Sequence, residues 1–311
     1  FQSAEVAGLT ANSVPDLSLK WAVGFPGVTV ASFQATIVGG RAMVGTGVGV
    51  VYALNAKTGC IHWAHETDAG VRSTITVGPG PNGRATAFFG DLTGNAYAVD
   101  FEMGERRWKV EVDDHRQARI TGAPALHEGR LYVPVASLEE VAAEAPTYQC
   151  CTFRGSIAAL DARTGRQLWQ RYPIDEVPVR TGTNSAGVAQ WGPSGVGIWA
   201  SPTLDPDRNR MYVATGDSYS NPVSPQSDAI MALAMDTGDV VWVAQTTPGD
   251  AWVAACLAPD EATRANCPED AGPDHDYGSA IVLTEVGGQQ VLLAGQKSGV
   301  MYRLNPDTGE I

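Results

Sequence analysis

The chain is short of basic residues, of long apolar runs and of helix-forming stretches, and each shortage excludes something. Its 21 Lys and Arg face 34 Asp and Glu, a formal net charge of −13, which argues against nucleic acid as a partner because no phosphate-neutralising surface is expected. A field of that sign suits a basic protein partner reached by long-range steering, although a merely solvated acidic face has the same composition. No run of about 18 apolar residues occurs, so no membrane-spanning helix is expected. No secretory leader is visible, but a chain that begins at Phe1 and stops inside a repeat excludes nothing on that ground. No Cys-x-x-Cys-His is present, so this segment attaches no c-type haem. Few helical runs beside 35 Gly and 19 Pro read as an all-β, turn-rich protein. At 311 residues and 44% hydrophobic it can bury one large core.

Cysteines are also few, and their placement is informative. Cys150 and Cys151 are adjacent, Cys256 and Cys267 bracket a polar loop, and Cys60 is left over on a hairpin turn. The second pair reads as a loop staple formed in an oxidising compartment, and the first, set among polar residues, as a vicinal disulfide. The periplasm or the cell exterior is the expected location. Cys60, His62 and His65 do not read as a zinc site: there is no second local thiol, and a strand turns the two histidines to opposite faces.

What the chain has in quantity is one phrase, five times over. An apolar strand runs into Asn55 and the turn to Gly59, then Trp63; into Asp100 and Gly104, then Trp108; into Asp161 and Gly165, then Trp169; into Ala234 and Gly238, then Trp242; and into Asn305 and Gly309. Wherever both are present, Trp follows Gly by four residues. Four copies carry Asp or Asn four residues before the Gly, and the fourth has Ala234 instead. A hairpin repeated at this spacing is the signature of a β-propeller with tryptophan-docking blades. Trp21 has no such Gly before it and reads as opening a blade whose preceding turn is different or missing. Residues 1–311 are therefore expected to form one partial propeller domain, about five blades from the N-terminal part of a longer ring, since closure is what removes the edges of a propeller.

Between the repeats lie three blocks with chemical content. The first is Gly197-Ile198-Trp199-Ala200-Ser201-Pro202-Thr203-Leu204-Asp205-Pro206, continuing to Gly216-Asp217. The second is Thr121-Gly122-Ala123-Pro124, followed after a strand by Ser137-Leu138-Glu139-Glu140. The third is Asp274-His275-Asp276-Tyr277-Gly278, with Lys297-Ser298-Gly299-Val300-Met301-Tyr302 beyond it. With the Trp repeat, these blocks resemble the quinoprotein alcohol dehydrogenases, whose eight blades surround a pyrroloquinoline quinone (PQQ) and a calcium ion.

The resemblance implies roles position by position. Trp199 would lie under the quinone ring, as a flat tricycle requires. Asp217, where the family usually has Asn, would be a calcium ligand with an added charge. Thr121 would contact the cofactor, and the second metal ligand, fifteen residues after Pro124, falls on Glu139, with Glu140 one residue away. Asp276 would take the substrate's hydroxyl proton, with His275 as its local rival. Lys297 stands where the family has Arg beside the quinone oxygens, keeping the charge and losing the planar fork. Arg72 would pair with a cofactor carboxylate, and Gln34 would replace a Glu at the cofactor's edge. The family also has adjacent cysteines over the quinone, but earlier in the chain; because inter-blade loops converge on one mouth, Cys150 and Cys151 remain candidates for that contact.

The late cysteine pair, the Asp-His-Asp-Tyr-Gly segment and the Trp199 block together look most like the polyvinyl-alcohol dehydrogenase branch. That implies oxidation of secondary alcohol groups of a polymeric polyol, with electrons passed to a soluble cytochrome c. Two other readings share the repeat: a non-catalytic scaffold propeller of the outer-membrane assembly type, and a quinoprotein for small alcohols or sugars.

Overall fold

A computed structural model describes residues 8–29, 32 and 34–311. It is built from consecutive antiparallel strands that fold back on their neighbours. The first sheet comprises Thr36–Val38, Arg41–Gly45, Val50–Asn55 and Ile61–Glu66; the second Thr76–Pro79, Ala85–Gly90, Asn95–Asp100 and Arg106–Glu111. The third comprises Ala125–His127, Arg130–Ser137, Ser156–Asp161 and Gln167–Arg171, with Ala118–Arg119 added at the end of its second strand. The fourth comprises Thr203–Asp205, Arg210–Ala214, Ala229–Ala234 and Val240–Gln245, and the fifth has three strands, Val282–Val286, Gln289–Gly295 and Met301–Leu304.

The core lies between sheets. Side chains alternate across a strand, so Phe89 joins Met43, Val51 and Trp63 on one side of the second sheet while Phe88 joins Leu131, Val133 and Leu160 on the other. Tyr132 and Ile157 face Met211 and Met231 of the fourth sheet, whose Tyr212 and Ile230 face Leu292 and Leu304 of the fifth. Each middle sheet is thus covered on both faces, as the all-β propeller reading requires.

The repeated phrase sets how neighbouring sheets meet. In all five copies the Gly takes a positive φ, between 73° and 76°, and its amide donates to the carbonyl four residues back: Asn55, Asp100, Asp161, Ala234 or Asn305. A register shift follows, and it places each Trp opposite an alanine: Trp63 on Ala53, Trp108 on Ala98, Trp169 on Ala159, Trp242 on Ala232. The indole then lies flat on the turn Gly of the next sheet. A Cβ on Gly104 would stand 2.6 Å from the Trp63 ring, on Gly165 2.9 Å from Trp108, on Gly238 2.8 Å from Trp169 and on Gly309 2.5 Å from Trp242. Trp21, the tryptophan without its own turn, occupies the same seat on Gly59, where a Cβ would stand 2.9 Å from its ring.

Four of these indoles donate to the carbonyl just after the Asp or Asn position: Trp21 to Ala56, Trp63 to Phe101, Trp108 to Ala162 and Trp242 to Pro306, at 3.0–3.2 Å. The Trp169 nitrogen is buried without a partner. Its expected acceptor, the Met235 carbonyl, receives the Tyr132 hydroxyl at 3.0 Å instead. This is the copy in which Ala234 replaces Asp or Asn.

Both expected disulfides are present, Cys150–Cys151 and Cys256–Cys267, and Cys60 is free and exposed. No helix of the described residues is long and apolar enough to cross a membrane.

Gly104→Ala places a Cβ against the Trp63 ring at a left-handed φ, and it is expected to destabilise the protein by about 2–4 kcal/mol. Gly83→Ala, at φ 68° with open space around it, is expected to cost only the backbone part, about 1–2 kcal/mol. Urea midpoints read both, and equal losses would remove the docking contact as the cause.

Candidate active site

A cavity of about 110 Å³ opens beside the third, fourth and fifth sheets. Trp199 forms part of its wall, on the segment that leads into the fourth sheet. That segment is clamped on both sides. Ile198 donates to Val135 at 3.1 Å, Gly216 donates to Gly197 at 2.9 Å, and the Trp199 carbonyl accepts the Thr121 hydroxyl at 3.0 Å. Gly278 has no side chain because the indole lies against it: a Cβ there would sit 2.4 Å from the ring. The Trp199 nitrogen is buried and unpartnered.

Of the residues singled out in the sequence, Arg72, Thr121, Trp199, Asp217, Asp276 and Lys297 all line this cavity. The Lys297 ammonium lies 2.6 Å from Asp274 and 2.7 Å from Asp276, and 5.7 Å from the Trp199 ring centroid. The Lys297 amide also donates to the Asp276 carbonyl at 3.1 Å. Charge partner and backbone thus fix Asp276 and Lys297 to one another.

Four expectations fall elsewhere. Glu139 opens the short helix Glu139–Ala142, and its fully buried carboxylate accepts the amides of Thr152 at 3.0 Å and Phe153 at 2.7 Å and the Tyr148 hydroxyl at 3.1 Å. It holds the segment after the cysteine pair and does not face the cavity. Glu140 does, because successive helical residues point about 100° apart. Cys151 is buried in the core, and Cys150 lines a separate cleft of about 710 Å³. Tyr219 lines both cleft and cavity. Gln34 is exposed and outside the cavity. The rival base His275 is outside it too; its amide donates to Asp250 at 2.9 Å.

The electrostatics are one-sided. Carboxylate oxygens of Asp217, Asp274 and Asp276 lie within 4.8 Å of one another, and Asp217 shares a second such group with Asp228 and Asp250. Burial, then Asp276 and Asp228, pushes the Asp217 carboxyl far above the usual range. Burial followed by Asp276 takes Glu140 up to about 7. Burial raises Asp276 as well, with Lys297 pulling the other way. Lys297 is held above its ordinary range because Asp274 and Asp276 outweigh its own burial. Asp217 Oδ1 is buried without a partner. An all-oxygen set with an orphaned carboxylate oxygen and excess negative charge fits a hard cation. The flat Trp199 face and the Arg72 guanidinium fit a planar, carboxylate-bearing cofactor beside it.

Sequence reasoning passed over Asp228, Asp250 and Tyr219. Asp274 sat inside a quoted motif, and its left-handed φ of 59° brings it beside Lys297. Asp228 and Asp250 belong to no motif; only the packing of strand ends unites them with Asp217.

The profile of the glucose/ethanol/alcohol dehydrogenase β-propeller domain of PQQ enzymes matches residues 82–255, more than half of the chain. The chain belongs to this family. It is 42% identical over 309 residues to a polyvinylalcohol dehydrogenase of Pseudomonas sp., a match covering 98% of this chain and 47% of the relative. A polyvinylalcohol dehydrogenase of Sphingopyxis sp. (strain 113P3) is 41% identical, covering 94% of this chain and 45% of that one. The chain therefore spans about half the length of the curated relatives it matches. The quinohemoprotein alcohol dehydrogenase of Comamonas testosteroni has the same fold, with a TM-score of 0.67 at 24% identity over 96% of this chain and 45% of that one.

For this PQQ-family site, the raised carboxylates give a stability signature with a definite sign. A carboxyl whose folded pKa lies above its unfolded value stabilises the fold at low pH and loses that contribution as pH rises through the folded pKa. For Glu140 the window runs from its ordinary 4.5 to about 7, and Asp217 extends it upward. Chelator-treated protein is expected to lose Tm steadily from pH 5 to pH 8, and added calcium to reverse most of that loss. A pH-independent calcium effect would show that these carboxylates do not hold the ion.

Proposed function

We propose that the protein carrying this chain is a PQQ- and calcium-dependent dehydrogenase that oxidises secondary alcohol groups of polyvinyl alcohol or a related polyol and passes electrons to cytochrome c. The observation that carries the reading is the convergence of Asp276, Lys297, Asp217 and the Trp199 face on one cavity. The polymer substrate rests on the 41–42% identity to two polyvinylalcohol dehydrogenases. The same reading makes this chain the N-terminal part of an eight-bladed ring, in a periplasmic or secreted protein, to which its two disulfides are suited.

When bound, the quinone supplies the hydride acceptor and the cation a Lewis acid. The chain's own residues do the rest. Trp199 offers the surface on which a planar ring stacks, and Arg72 a guanidinium for one of its carboxylates. Asp217, Asp274 and Glu140 are the oxygen donors from which the cation's ligands would come. Asp276 takes the proton from the substrate hydroxyl. Lys297, in contact with it, favours the ionised form of that carboxylate and would present positive charge where negative charge develops on the acceptor. The acidic balance of −13 favours encounter with a basic cytochrome, an effect that salt screens.

Asp276→Asn keeps size and hydrogen bonding but removes the basic oxygen. Turnover per bound quinone is expected to fall roughly 100-fold to 10,000-fold while quinone absorbance stays. Unchanged turnover with weakened quinone binding would make Asp276 a ligand and not the base.

The two glutamates should separate cleanly. Glu140→Gln is expected to weaken calcium and quinone binding and, at pH 8, to raise Tm of the calcium-free protein slightly by removing a buried carboxylate charge. Glu139→Gln is expected to lower Tm by leaving the Thr152 and Phe153 amides with a weaker acceptor. Calcium titrations and melting curves on both variants decide the assignment, and the opposite pattern would restore Glu139 to the metal.

A further inference from the structure

Behind the cavity wall lies a second group of acids. Asp217, Asp228 and Asp250 bring carboxylate oxygens within 4.8 Å of one another. Asp228 and Asp250 are both 0% exposed, and neither lines the cavity. Both Asp228 oxygens and Asp217 Oδ1 are buried without any hydrogen-bond partner. Asp250 is fixed by the amides of Asp274 at 3.3 Å and His275 at 2.9 Å, which leaves lone pairs on both its oxygens.

Among the described residues no cation answers this charge. Lys297, the ammonium at the cavity, is committed to Asp274 and Asp276. Among the described residues none of the three acids has an ion-pair partner within 4.0 Å. The backbone nonetheless forces Asp228 inward. Its φ is 49°, its amide donates to Gly216 at 3.2 Å, and its carbonyl accepts the Thr246 amide at 3.0 Å and hydroxyl at 2.8 Å. A left-handed, non-glycine residue pinned from both sides, with a bare carboxylate aimed at two others, is strain held by its surroundings. Isolated buried charges are costly, and nature pairs them or gives them to a metal.

We propose that Asp217, Asp228 and Asp250 bind a second hard divalent cation, of the calcium class, sharing Asp217 with the cation of the cavity. The donors are all oxygen, as such an ion prefers. Calcium, with ligand distances of about 2.3–2.6 Å, reaches opposed oxygens up to about 5 Å apart, whereas magnesium at about 2.0–2.1 Å would need the group to contract. With two ions, Asp217 is a bridge that ties the floor of the cavity to the strand end at Ala229, and neither ion faces the full acidic charge alone.

The test counts calcium on the full-length protein, loaded with calcium and quinone and then desalted. The wild type is expected to hold one calcium per chain more than Asp228→Asn, with quinone absorbance retained in both. Equal counts would mean that protons neutralise the group, and would overturn the proposal. Melting curves give an independent reading. In calcium-free protein Asp228→Asn is expected to raise Tm, by removing an uncompensated charge, and the rise in Tm on adding calcium is expected to be smaller than in wild type. A variant that melts lower without calcium, or fails to fold with it, would mark the Asp228 carboxylate as structural and overturn the second site. A calcium difference that persists while no quinone binds would leave this site standing and remove the cofactor reading; quinone bound with equal calcium counts would do the reverse.

Discussion

Everything in this molecule hangs on one contact, an indole lying flat on the glycine turn of the neighbouring sheet. A single antiparallel sheet with two apolar faces has no reason to stop at one neighbour. The Trp–Gly contact fixes how close the next sheet comes and in what register, because the turn has no side chain there and the ring fills the space. The alanine opposite each Trp serves the same end from within the sheet, leaving the indole free to reach outward. With four such contacts and Trp21 seated on Gly59, the strand ends and loops of successive sheets are brought to common edges. The cavity lies at one of these edges, and its residues come from sheets whose spacing the tryptophans set.

The fourth copy shows what the contact tolerates. Trp169 keeps its stacking on Gly238 but makes no hydrogen bond, while the Met235 carbonyl accepts the Tyr132 hydroxyl. The ring position is therefore governed by shape and apolar contact, and the indole hydrogen bond is an addition of about 1 kcal/mol rather than the organising force.

The second constraint is electrostatic. Asp217, Asp228, Asp250, Asp276 and Glu140 are gathered where burial strips away water, with the partly exposed Asp274 beside them, and among the described residues Lys297 is the only ammonium lining the cavity. Charges of one sign are not assembled in a dry site without a reason, since each raises the cost of ionising the next. The geometry points unpaired oxygens at common centres, the charge that the proposed cations would neutralise. The same arrangement makes Asp276 and Lys297 a coupled pair: the lysine offsets the burial that would otherwise leave the aspartate protonated.

The sequence by itself determined the architecture and most of the site. Repetition encodes the fold directly: the Gly-to-Trp interval is short-range, so it is visible without knowing which sheets touch, and the structure seats Trp63, Trp108, Trp169 and Trp242, the four that follow a turn Gly, alike. Thr121, Trp199, Asp217, Asp276 and Lys297 were legible for a similar reason, being tied to local motifs at fixed offsets, whereas Arg72, which lines the same cavity, has no distinctive flanking motif. What only the tertiary structure decided is direction and distant company. Whether Glu139 or Glu140 meets the cavity depends on the phase of a one-turn helix, which spacing from Pro124 does not carry, and the waiting amides of Thr152 and Phe153 claim Glu139. That Cys150 lines the cleft next to the cavity, with Tyr219 shared by both, is likewise a product of packing. Asp228 and Asp250 share no spacing with Asp217 that a reader of the chain could use. They meet because three strand ends and loops pack at one point, and a contact made by packing leaves no periodic trace in the sequence.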